Sequence, residues 1–314
     1  MNPVYDFIQR NRVLAKIEKA QRSKARNLAL DDFDLTGFPN ILFKCCDLFS
    51  LNLGHNNIMD LPNDIIQLKN LRHLSLDYNS LDKFPMALKQ LSHLVTLNIS
   101  HNPIKELTKD IGCFVTLETL WCNACCLTTL PEELGTLIKL EAFGARHNKI
   151  SKLPDGICNL KNLRWLTLED NNLHNVPQNF DKLQSLVHVN FNKNNFNFIP
   201  LRMSKIKTLR YLHLQNNEFF TLPDTTIFAM PHTKINLQHN PLQLEDNKIY
   251  SNVIVTGTEN EILDLLGNDS DSSSDNWDNS LNSSDLNYSD TESESEDEEI
   301  LTDIPRLSKF LVTF

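Results

Sequence analysis

The sequence predicts an α/β solenoid, a horseshoe in which a parallel β-sheet lines the concave face and short helices or 3₁₀ turns form the convex face. Two observations predict this fold class. Ten segments begin at intervals of 23 residues, from position 25 to position 232, with no insertion between them. Each follows the pattern L-x-x-L-x-L-x-x-N-x-L-x-x-L-P-x-x-I-x-x-L-x-x. A unit of this length cannot bury its apolar side alone, so successive units must stack.

The first half of each segment predicts a strand. In L-x-L-x-x-N the alternating apolar residues mark a short strand with one buried face, and successive strands pair into one parallel sheet. The Asn turns the chain inward, and its buried amide needs backbone partners in neighbouring turns. Phe33 and Cys125 replace it in the first and fifth segments. These features are those of a leucine-rich repeat. The Asn position is occupied by Asn56, Asn79, Asn102, Asn148, Asn171, Asn194, Asn217 and Asn240.

The second half of each segment predicts the return path. Leu-Pro, or an equivalent pair, is followed by an apolar residue every three or four positions. Proline has a fixed φ and no N–H donor, which suits the point where the chain leaves the sheet. Thr108 takes the Pro position in the fourth segment. We expect a short helical or 3₁₀ turn after each Pro.

The two ends of the repeat region, 25–245, have different predictions. Residues 1–24 lack the repeat but place apolar residues close to one helical face, which favours an N-terminal capping helix. A basic helix that contacts a membrane or an acidic partner is the alternative. Residues 246–267 are predicted to form a C-terminal cap or a linker. The apolar residues that define this helical face within 1–24 are Val4, Phe7, Ile8, Leu14 and Ile17.

Residues 268–299 predict an acidic, Ser-rich, disordered tail. They contain twelve Asp or Glu, ten Ser and no Lys or Arg. Without these twelve charges the formal net charge changes from −10 to +2, so the rest of the chain is nearly neutral. Five hydroxyl residues have an acidic residue three positions later, the pattern favoured by casein kinase 2-like enzymes. A solubilising tail with no regulated role is the alternative. The candidate phosphorylation sites are Ser272, Ser289, Thr291, Ser293 and Ser295.

Residues 300–314 form a short apolar C-terminal segment. Val312 and Phe314 resemble the V-x-F core of protein phosphatase 1 docking motifs, and the terminal carboxylate also resembles a class II PDZ ligand. Folding back to cover the last repeat is the alternative.

The cysteines and the apolar runs predict the compartment. All seven cysteines lie within the repeats, and the N-terminus has no apolar signal peptide. No run of eighteen apolar residues predicts a membrane span. We therefore expect a cytoplasmic protein with reduced thiols, with the nucleus as the alternative. Cys122, Cys125 and Cys126 raise the question of a metal, but core packing is the prediction, and no metal or cofactor is expected.

The concave face carries the candidate binding residues. Tryptophan, tyrosine and arginine directed at solvent from a sheet favour protein binding, because interface hot spots are enriched in them. Aromatic packing over neighbouring strands, without a partner, is the alternative. The candidates are Tyr78, Trp121, Arg146, His147, Trp165, Glu169, Asp170, His188, Lys193, Tyr211 and His213.

The 23-residue unit with L-P-x-x-I-x-x-L-x-x-L resembles the intracellular Ras-suppressor and Sur-eight-like class of leucine-rich repeat proteins over residues 25–245. Residues 25–39 are also similar to the first repeats of that class. The resemblance implies a cytoplasmic scaffold or adaptor, in some members for small GTPase and phosphatase complexes and in others for ubiquitin ligases. The matching residues are structural, so no binding residue of the class is assigned to this chain.

The sequence favours a non-catalytic function. It contains no Walker loop, dinucleotide fingerprint, kinase signature, zinc-protease motif or G-x-S-x-G element, and only eight glycines. We expect a scaffold or adaptor, in intracellular signalling, that recognises a protein and not a nucleic acid, chiefly through repeats five to nine. The alternatives are a substrate adaptor of a ubiquitin ligase and an acidic-tailed nuclear phosphoprotein that binds basic proteins.

Overall fold

A computed structural model of the chain describes residues 3–91, 93–243 and 251–255. An N-terminal helix, α1 (Pro3–Ser23), precedes a series of short strands, and a second helix, α2 (Asp224–Phe228), follows the ninth strand. The strands are β1 (Asn27–Ala29), β2 (Ser50–Asn52), β3 (His73–Ser75), β4 (Thr96–Asn98), β5 (Thr119–Trp121), β6 (Ala142–Gly144), β7 (Trp165–Thr167), β8 (His188–Asn190), β9 (Tyr211–His213), β10 (Lys234–Asn236) and β11 (Val253–Ile254).

The strands form one open parallel sheet in chain order, which confirms the predicted fold class. From β1 to β10 each residue pairs with the residue 23 positions later, as Leu51 does with Leu74. The middle residue of a strand points into the core, and the residues on either side of it point to the opposite face. A constant register therefore stacks one column of apolar side chains along the whole core.

Among the described residues, the sheet has one strand more than the ten that the sequence predicted. In β11, Val253 pairs with Ile235 of β10, 18 positions earlier instead of 23. The shorter return places Val253 and Ile254 outside the repeat spacing, so the periodicity did not reveal this strand. It lies within 246–267, the range predicted to be a cap or linker.

The recurring Asn position finds the backbone partners that the sequence predicted, and its side chains form a ladder of hydrogen bonds along the repeats. Asn102 Oδ1 accepts a hydrogen bond from the Leu81 N–H (3.0 Å), and its Nδ2 donates to the Leu76 carbonyl (2.8 Å), so one side chain joins adjacent repeats. Cys125 occupies the same position in the fifth repeat, and its thiol donates to the carbonyls of Ile99 (3.2 Å) and Asn123 (3.4 Å). Cysteine thus supplies part of the network with a weaker donor.

The convex side consists of short turns, as predicted. Pro131 has an extended conformation (φ −74°, ψ 151°) immediately before one of them. Thr108 adopts nearly the same angles (φ −75°, ψ 163°), which explains why the fourth repeat does without proline. Within the described residues the 3₁₀ segments are Asn40–Lys44, Asn63–Gln67, Met86–Gln90, Lys109–Cys113, Glu132–Thr136, Asp155–Asn159, Phe180–Lys182 and Leu201–Lys205.

Helix α1 covers the first repeat with a face that includes Ile17, as the sequence predicted, but that otherwise differs from the predicted face. Val13, Ile17 and Ala20 are buried in the common core. Their spacing of four and three residues places them on one side of the helix. Three residues assigned to the predicted apolar face are instead exposed. These are Phe7, Ile8 and Leu14.

Phe33, which replaces the first ladder Asn, is buried beside α1. The Lys16 ammonium lies 4.8 Å from the centre of its ring. Because no repeat precedes the first one, a large apolar residue covered by the helix can take the position of the amide.

Several predicted features lie outside the described residues. They are the segments 268–299 and 300–314, with Ser272, Ser289, Thr291, Ser293, Ser295, Val312 and Phe314. Within the described ranges, no helix is long and apolar enough to cross a membrane.

Candidate functional site

The concave face is built from four positions in each repeat. In the seventh repeat these are Trp165 and Thr167 of β7 and the two non-core residues after the strand, Glu169 and Asp170. The middle strand residue, Leu166, is fully buried. Equivalent positions recur every 23 residues, so each kind of position forms a column across the sheet.

The last of these columns has an unusual backbone. The residue before each ladder position has a positive φ of 50–58° in all ten repeats, although none of them is glycine. Such left-handed residues are uncommon, and they persist when surrounding contacts hold them. Here the ladder amides bind the adjacent carbonyls. This column contains Asp32, His55, Tyr78, His101, Ala124, His147, Asp170, Lys193, Asn216 and His239.

Trp121 lies flat against the next strand. A Cβ atom placed on Gly144 would come within 2.3 Å of Trp121 Cε3 and 2.4 Å of Cζ3. The absence of a side chain at Gly144 therefore makes the space that the indole ring occupies. The sequence predicted a solvent-directed tryptophan at position 121, but the structure half-buries it on β6.

Four rings on the following strands form a group, here called the aromatic cluster. It consists of Trp165, His188, Tyr211 and His213. His188 stacks on Trp165, with ring centres 4.9 Å apart and an angle of 29° between the planes. Its ring centre is also 4.9 Å from that of His213 and 6.2 Å from that of Tyr211. The cluster spans β7, β8 and β9 and brings together four of the predicted site residues.

His188 sits at the centre of this cluster, and its environment opposes protonation. Burial under the surrounding rings lowers the pKa of His188 well below its usual value, and the neighbouring His213 lowers it further. Near neutral pH the imidazole is uncharged. His188 therefore contributes packing and a neutral ring, not a surface charge.

Three charged candidates meet on the same face. The Glu169 carboxylate forms ion pairs with the Lys193 ammonium, at 3.0 Å, and with the Arg146 guanidinium, at 3.4 Å. Asn190 Nδ2 also donates to this carboxylate, at 3.4 Å. The Arg146 and Glu169 side chains are largely buried, which holds the group in a defined position.

His147 and Asp170 form a separate pair in the left-handed column, with 2.8 Å between His147 Nδ1 and Asp170 Oδ2. Both side chains are exposed. The structure thus joins adjacent repeats through these two predicted site residues as well.

Tyr78 belongs to a different part of the face. It stacks between His55, at 4.3 Å, and His101, at 3.9 Å, with nearly parallel rings. These residues follow β2, β3 and β4, whereas the aromatic cluster is on β7, β8 and β9. The sequence places Tyr78 among the same candidates because the repeat pattern shows its position on the concave face. The pattern does not show which rings it stacks on.

The structure adds residues that the sequence interpretation did not select. The Lys234 ammonium lies 6.0 Å from the centre of the Tyr211 ring. A chain of amides, from Asn192 through Gln215 to Gln238, runs beside the cluster with hydrogen bonds of 2.9 and 3.0 Å. Lys234 occupies the same strand position as Tyr211, one repeat later, and this register was the available signal.

Two of the three clustered cysteines pack in the core as predicted, whereas the prediction is wrong for Cys126, which is exposed. Cys122 and Cys125 are fully buried, and all seven cysteines are free thiols. Burial raises the pKa of Cys125 to about 12. In the described part of the chain, no group of three or more His, Cys, Asp or Glu has an arrangement that would hold a metal ion.

Comparison with known proteins gives the same architecture. The family described as Leucine rich repeat matches residues 46–104. No curated protein sequence matches the chain significantly. Among solved structures, a leucine-rich repeat protein of Leptospira interrogans shares 27% identity over 79% of this chain and 78% of its own, with a TM-score of 0.56.

Two further structures extend the comparison. The ectodomain of the plant membrane receptor kinase GASSHO1/SCHENGEN3 from Arabidopsis thaliana is 27% identical, with a TM-score of 0.63, over 76% of this chain and 30% of the receptor chain. An internalin from Listeria monocytogenes is 21% identical, with a TM-score of 0.62, over 72% of this chain and 65% of the internalin. The chain therefore has the fold of a leucine-rich repeat solenoid.

Proposed function

We propose that this protein is a non-catalytic scaffold or adaptor that binds a protein partner on the concave face, chiefly through repeats five to nine. Leucine-rich repeat proteins are in general binding scaffolds, and the sheet presents a long surface whose inner side is used by the core. The proposal extends to an intracellular signalling role, which the resemblance to the Ras-suppressor and Sur-eight-like class supports.

One observation carries the proposal. Rings and charged side chains continue across five adjacent strands, from Trp121 on β5 to Tyr211 on β9, and contacts between repeats hold them in place. Preorganised aromatic and arginine side chains lose little conformational entropy on binding, which makes them effective anchors. Packing over neighbouring strands explains their positions, and it also prepares them for a partner.

Two further facts support parts of the proposal. The Arabidopsis receptor ectodomain is in complex with CASPARIAN STRIP INTEGRITY FACTOR 2, so a similar solenoid binds another molecule. All seven cysteines are free, which agrees with the reducing interior of the cell. A cytoplasmic location, with the nucleus as the alternative, is part of the same proposal.

Quantitative pull-down mass spectrometry from the cells of origin tests this function. The variant carries Trp121→Ala, Trp165→Ala and Arg146→Glu, and circular dichroism must show that it remains folded. A matched control carries Met59→Ala and Ile138→Ala, two exposed apolar residues outside the concave columns. We expect the first variant, and not the control, to lose its partners, since removing a hot-spot aromatic costs about 2 kcal/mol or more.

A chain truncated at residue 266 completes the design. Partners retained by the truncated chain and lost by the triple variant support binding on the concave face. Partners lost only on truncation would contradict it and assign binding to the acidic segment or to the C-terminal Val-Thr-Phe.

A further inference from the structure

The left-handed column contains a break in its series of rings. In this column His55, Tyr78 and His101 stack face to face, with ring centres 4.3 and 3.9 Å apart. The next residue of the column is Ala124, which has no side-chain atom beyond Cβ, and the residue after it is His147. From the second repeat to the sixth, every position of the column therefore carries a ring except the fifth.

The interval over Ala124 matches the interval that Tyr78 fills. Tyr78 lies between His55 and His101, which are two repeats apart, and His101 and His147 are also two repeats apart. Adjacent strands are ~4.8 Å apart, so each interval spans about 10 Å and accommodates one ring in contact with a ring on either side. The backbone is the same at both central positions, with a φ of 50° at Tyr78 and at Ala124. Tyr78 therefore shows what kind of group fits over Ala124.

The side chains around Ala124 are held toward the following repeat. His147 Nδ1 lies 2.8 Å from Asp170 Oδ2, and Asn123 Oδ1 accepts a hydrogen bond from the Arg146 N–H at 2.8 Å. Both contacts are directed away from the preceding repeat. Ala124 is half-buried and His147 is exposed, so the interval opens to solvent. We call this interval the ring slot, bounded by His101, Ala124 and His147.

The ring that forms the first wall of the slot is uncharged near neutral pH. Burial lowers the pKa of His101; Asp77 raises it, whereas His147, His55 and Arg146 lower it. The stack with Tyr78 already fixes this ring. An uncharged and fixed ring can receive a second ring on its other face at little cost in conformational entropy.

A polar group adjoins the slot. Asn123 directly precedes Ala124, and because its Oδ1 accepts from Arg146, its Nδ2 is the donor end of the amide. Within the residues that the structure describes, this Nδ2 has no hydrogen-bond acceptor. Each residue of a peptide offers a backbone carbonyl, so the amide suits a peptide that places one side chain in the slot.

We propose that the ring slot binds one aromatic side chain of a partner protein, preferably tyrosine, which stacks on His101 from the side opposite Tyr78. This inference rests on the proposed function, because it names the residue that the partner inserts into the same face. Aromatic side chains in preformed pockets are typical anchors of protein interfaces, which gives a single ring a large share of the affinity.

Nuclear magnetic resonance of the histidine rings tests the slot directly. The full chain, labelled with ¹³C at histidine Cε1, is titrated with N-acetyltyrosinamide; its ten histidines give few signals. A ring stacked on His101 shields the His101 ring protons, so we expect their signal to move upfield. The His174 signal should not move, because that residue is exposed and outside the concave columns. An unmoved His101 signal, or an equal shift with N-acetylvalinamide, would overturn the proposal.

Filling the slot from within the chain is the matched substitution. Ala124→His introduces the residue that the column has on either side, at a φ close to the 55° of His101 and the 52° of His147, so the fold should persist. We expect the His101 response to N-acetyltyrosinamide to disappear. Recovery of partners in the pull-down should fall about 10-fold or more, as on removal of a hot-spot aromatic. Ala124→Ser leaves the slot open and should retain both signals.

The other outcomes separate this inference from the proposed function. If the Trp121, Trp165 and Arg146 variant loses partners that Ala124→His retains, the concave face binds without the slot and only the present inference fails. If both variants retain all partners, binding on the concave face fails as well. A larger His101 shift with adenosine than with N-acetyltyrosinamide would assign the slot to a nucleobase. A His101 shift that depends on protein concentration without a probe would assign it to a second copy of the chain. Either result would overturn the proposal.

Discussion

Replacement of Asn102 by alanine tests how much one rung of the amide ladder stabilises the solenoid. The side chain is buried and makes four hydrogen bonds. Its Oδ1 accepts from the Leu81 N–H, and its Nδ2 donates to the carbonyls of Leu76, Ile99 and Ser100, at 2.8 to 3.1 Å. Alanine removes all four hydrogen bonds at once, so residues of two adjacent repeats lose a partner.

The lost bonds are not equivalent. The Leu76 carbonyl still accepts from Asn79, and the Ser100 carbonyl still accepts from the Tyr78 N–H. The Leu81 N–H, in contrast, loses the acceptor that Asn102 supplied. An unsatisfied buried donor costs about 1–3 kcal/mol, and each of the other three lost hydrogen bonds contributes about 0.5–1.5 kcal/mol. We expect the free energy of unfolding to fall by about 3–5 kcal/mol.

Urea unfolding followed by far-ultraviolet circular dichroism measures this change. The midpoint should decrease while the slope of the transition stays constant, and a changed slope would mean that the repeats no longer unfold together. Asn172→Ala is the control, because that side chain is exposed, and it should change stability by less than about 0.5 kcal/mol. A loss below about 1 kcal/mol for Asn102→Ala would refute the ladder argument.

The opposite change is available in the same chain. Cys125→Asn restores the consensus residue and is expected to raise the urea midpoint; a lower midpoint would show that the local backbone has adapted to cysteine. A charged maleimide at pH 8 should label the exposed Cys46, Cys113 and Cys126 well before the buried cysteines, since burial raises the pKa of Cys158 to about 11 and that of Cys125 to about 12. Peptide mapping that finds Cys125 labelled as fast as Cys126 would contradict this. Gly144→Ala should displace the Trp121 ring, shift its fluorescence to longer wavelength and destabilise the fold by about 1–3 kcal/mol. Gly37→Ala, where nothing lies within 4 Å of the added Cβ, should do neither. Because the pKa of His188 is lowered in the folded state, the unfolded chain takes up a proton near pH 6.5 that the folded chain resists, so stability should fall as the pH drops below that value. His188→Asn should reduce the difference between urea midpoints at pH 7.5 and 5.5, and an unchanged difference would exclude His188 as a source of the pH dependence.

Periodicity is informative for the features of the fold that recur in every repeat. The parallel sheet, the inward leucines, the Asn ladder and the convex turns each follow from a pattern that repeats every 23 residues. Strand β11 departs from that spacing by five residues, so the periodicity predicts a cap or linker at Val253 and not a strand. Helix α1 has no repeat to define its orientation. Its apolar residues outnumber those that one face can bury. The predicted face is therefore right for Ile17 but includes Phe7 and Leu14, whereas the structure buries Val13 and Ala20.

The sequence predicts which residues belong to the concave face. It does not predict which of their side chains contact one another. Side-chain alternation identifies Trp121 and Trp165 as residues of the concave face, but it contains no information on what each ring touches. Trp121 is half-buried because Gly144, at the equivalent position of the next strand, leaves space for its ring. Trp165 is stacked because His188 occupies the equivalent position of the strand after it. Tyr78, selected for the same reason, belongs to another stack.

The sequence by itself determined the solenoid, because each repeat contacts only its neighbours and the same local pattern solves the same packing problem ten times. Only the tertiary structure decided which concave side chains meet, which helix face covers the first repeat, and that β11 extends the sheet beyond β10. Those outcomes depend on side-chain contacts between residues 23 positions apart and on the two ends of the chain, where the repeating pattern stops and no periodic signal remains.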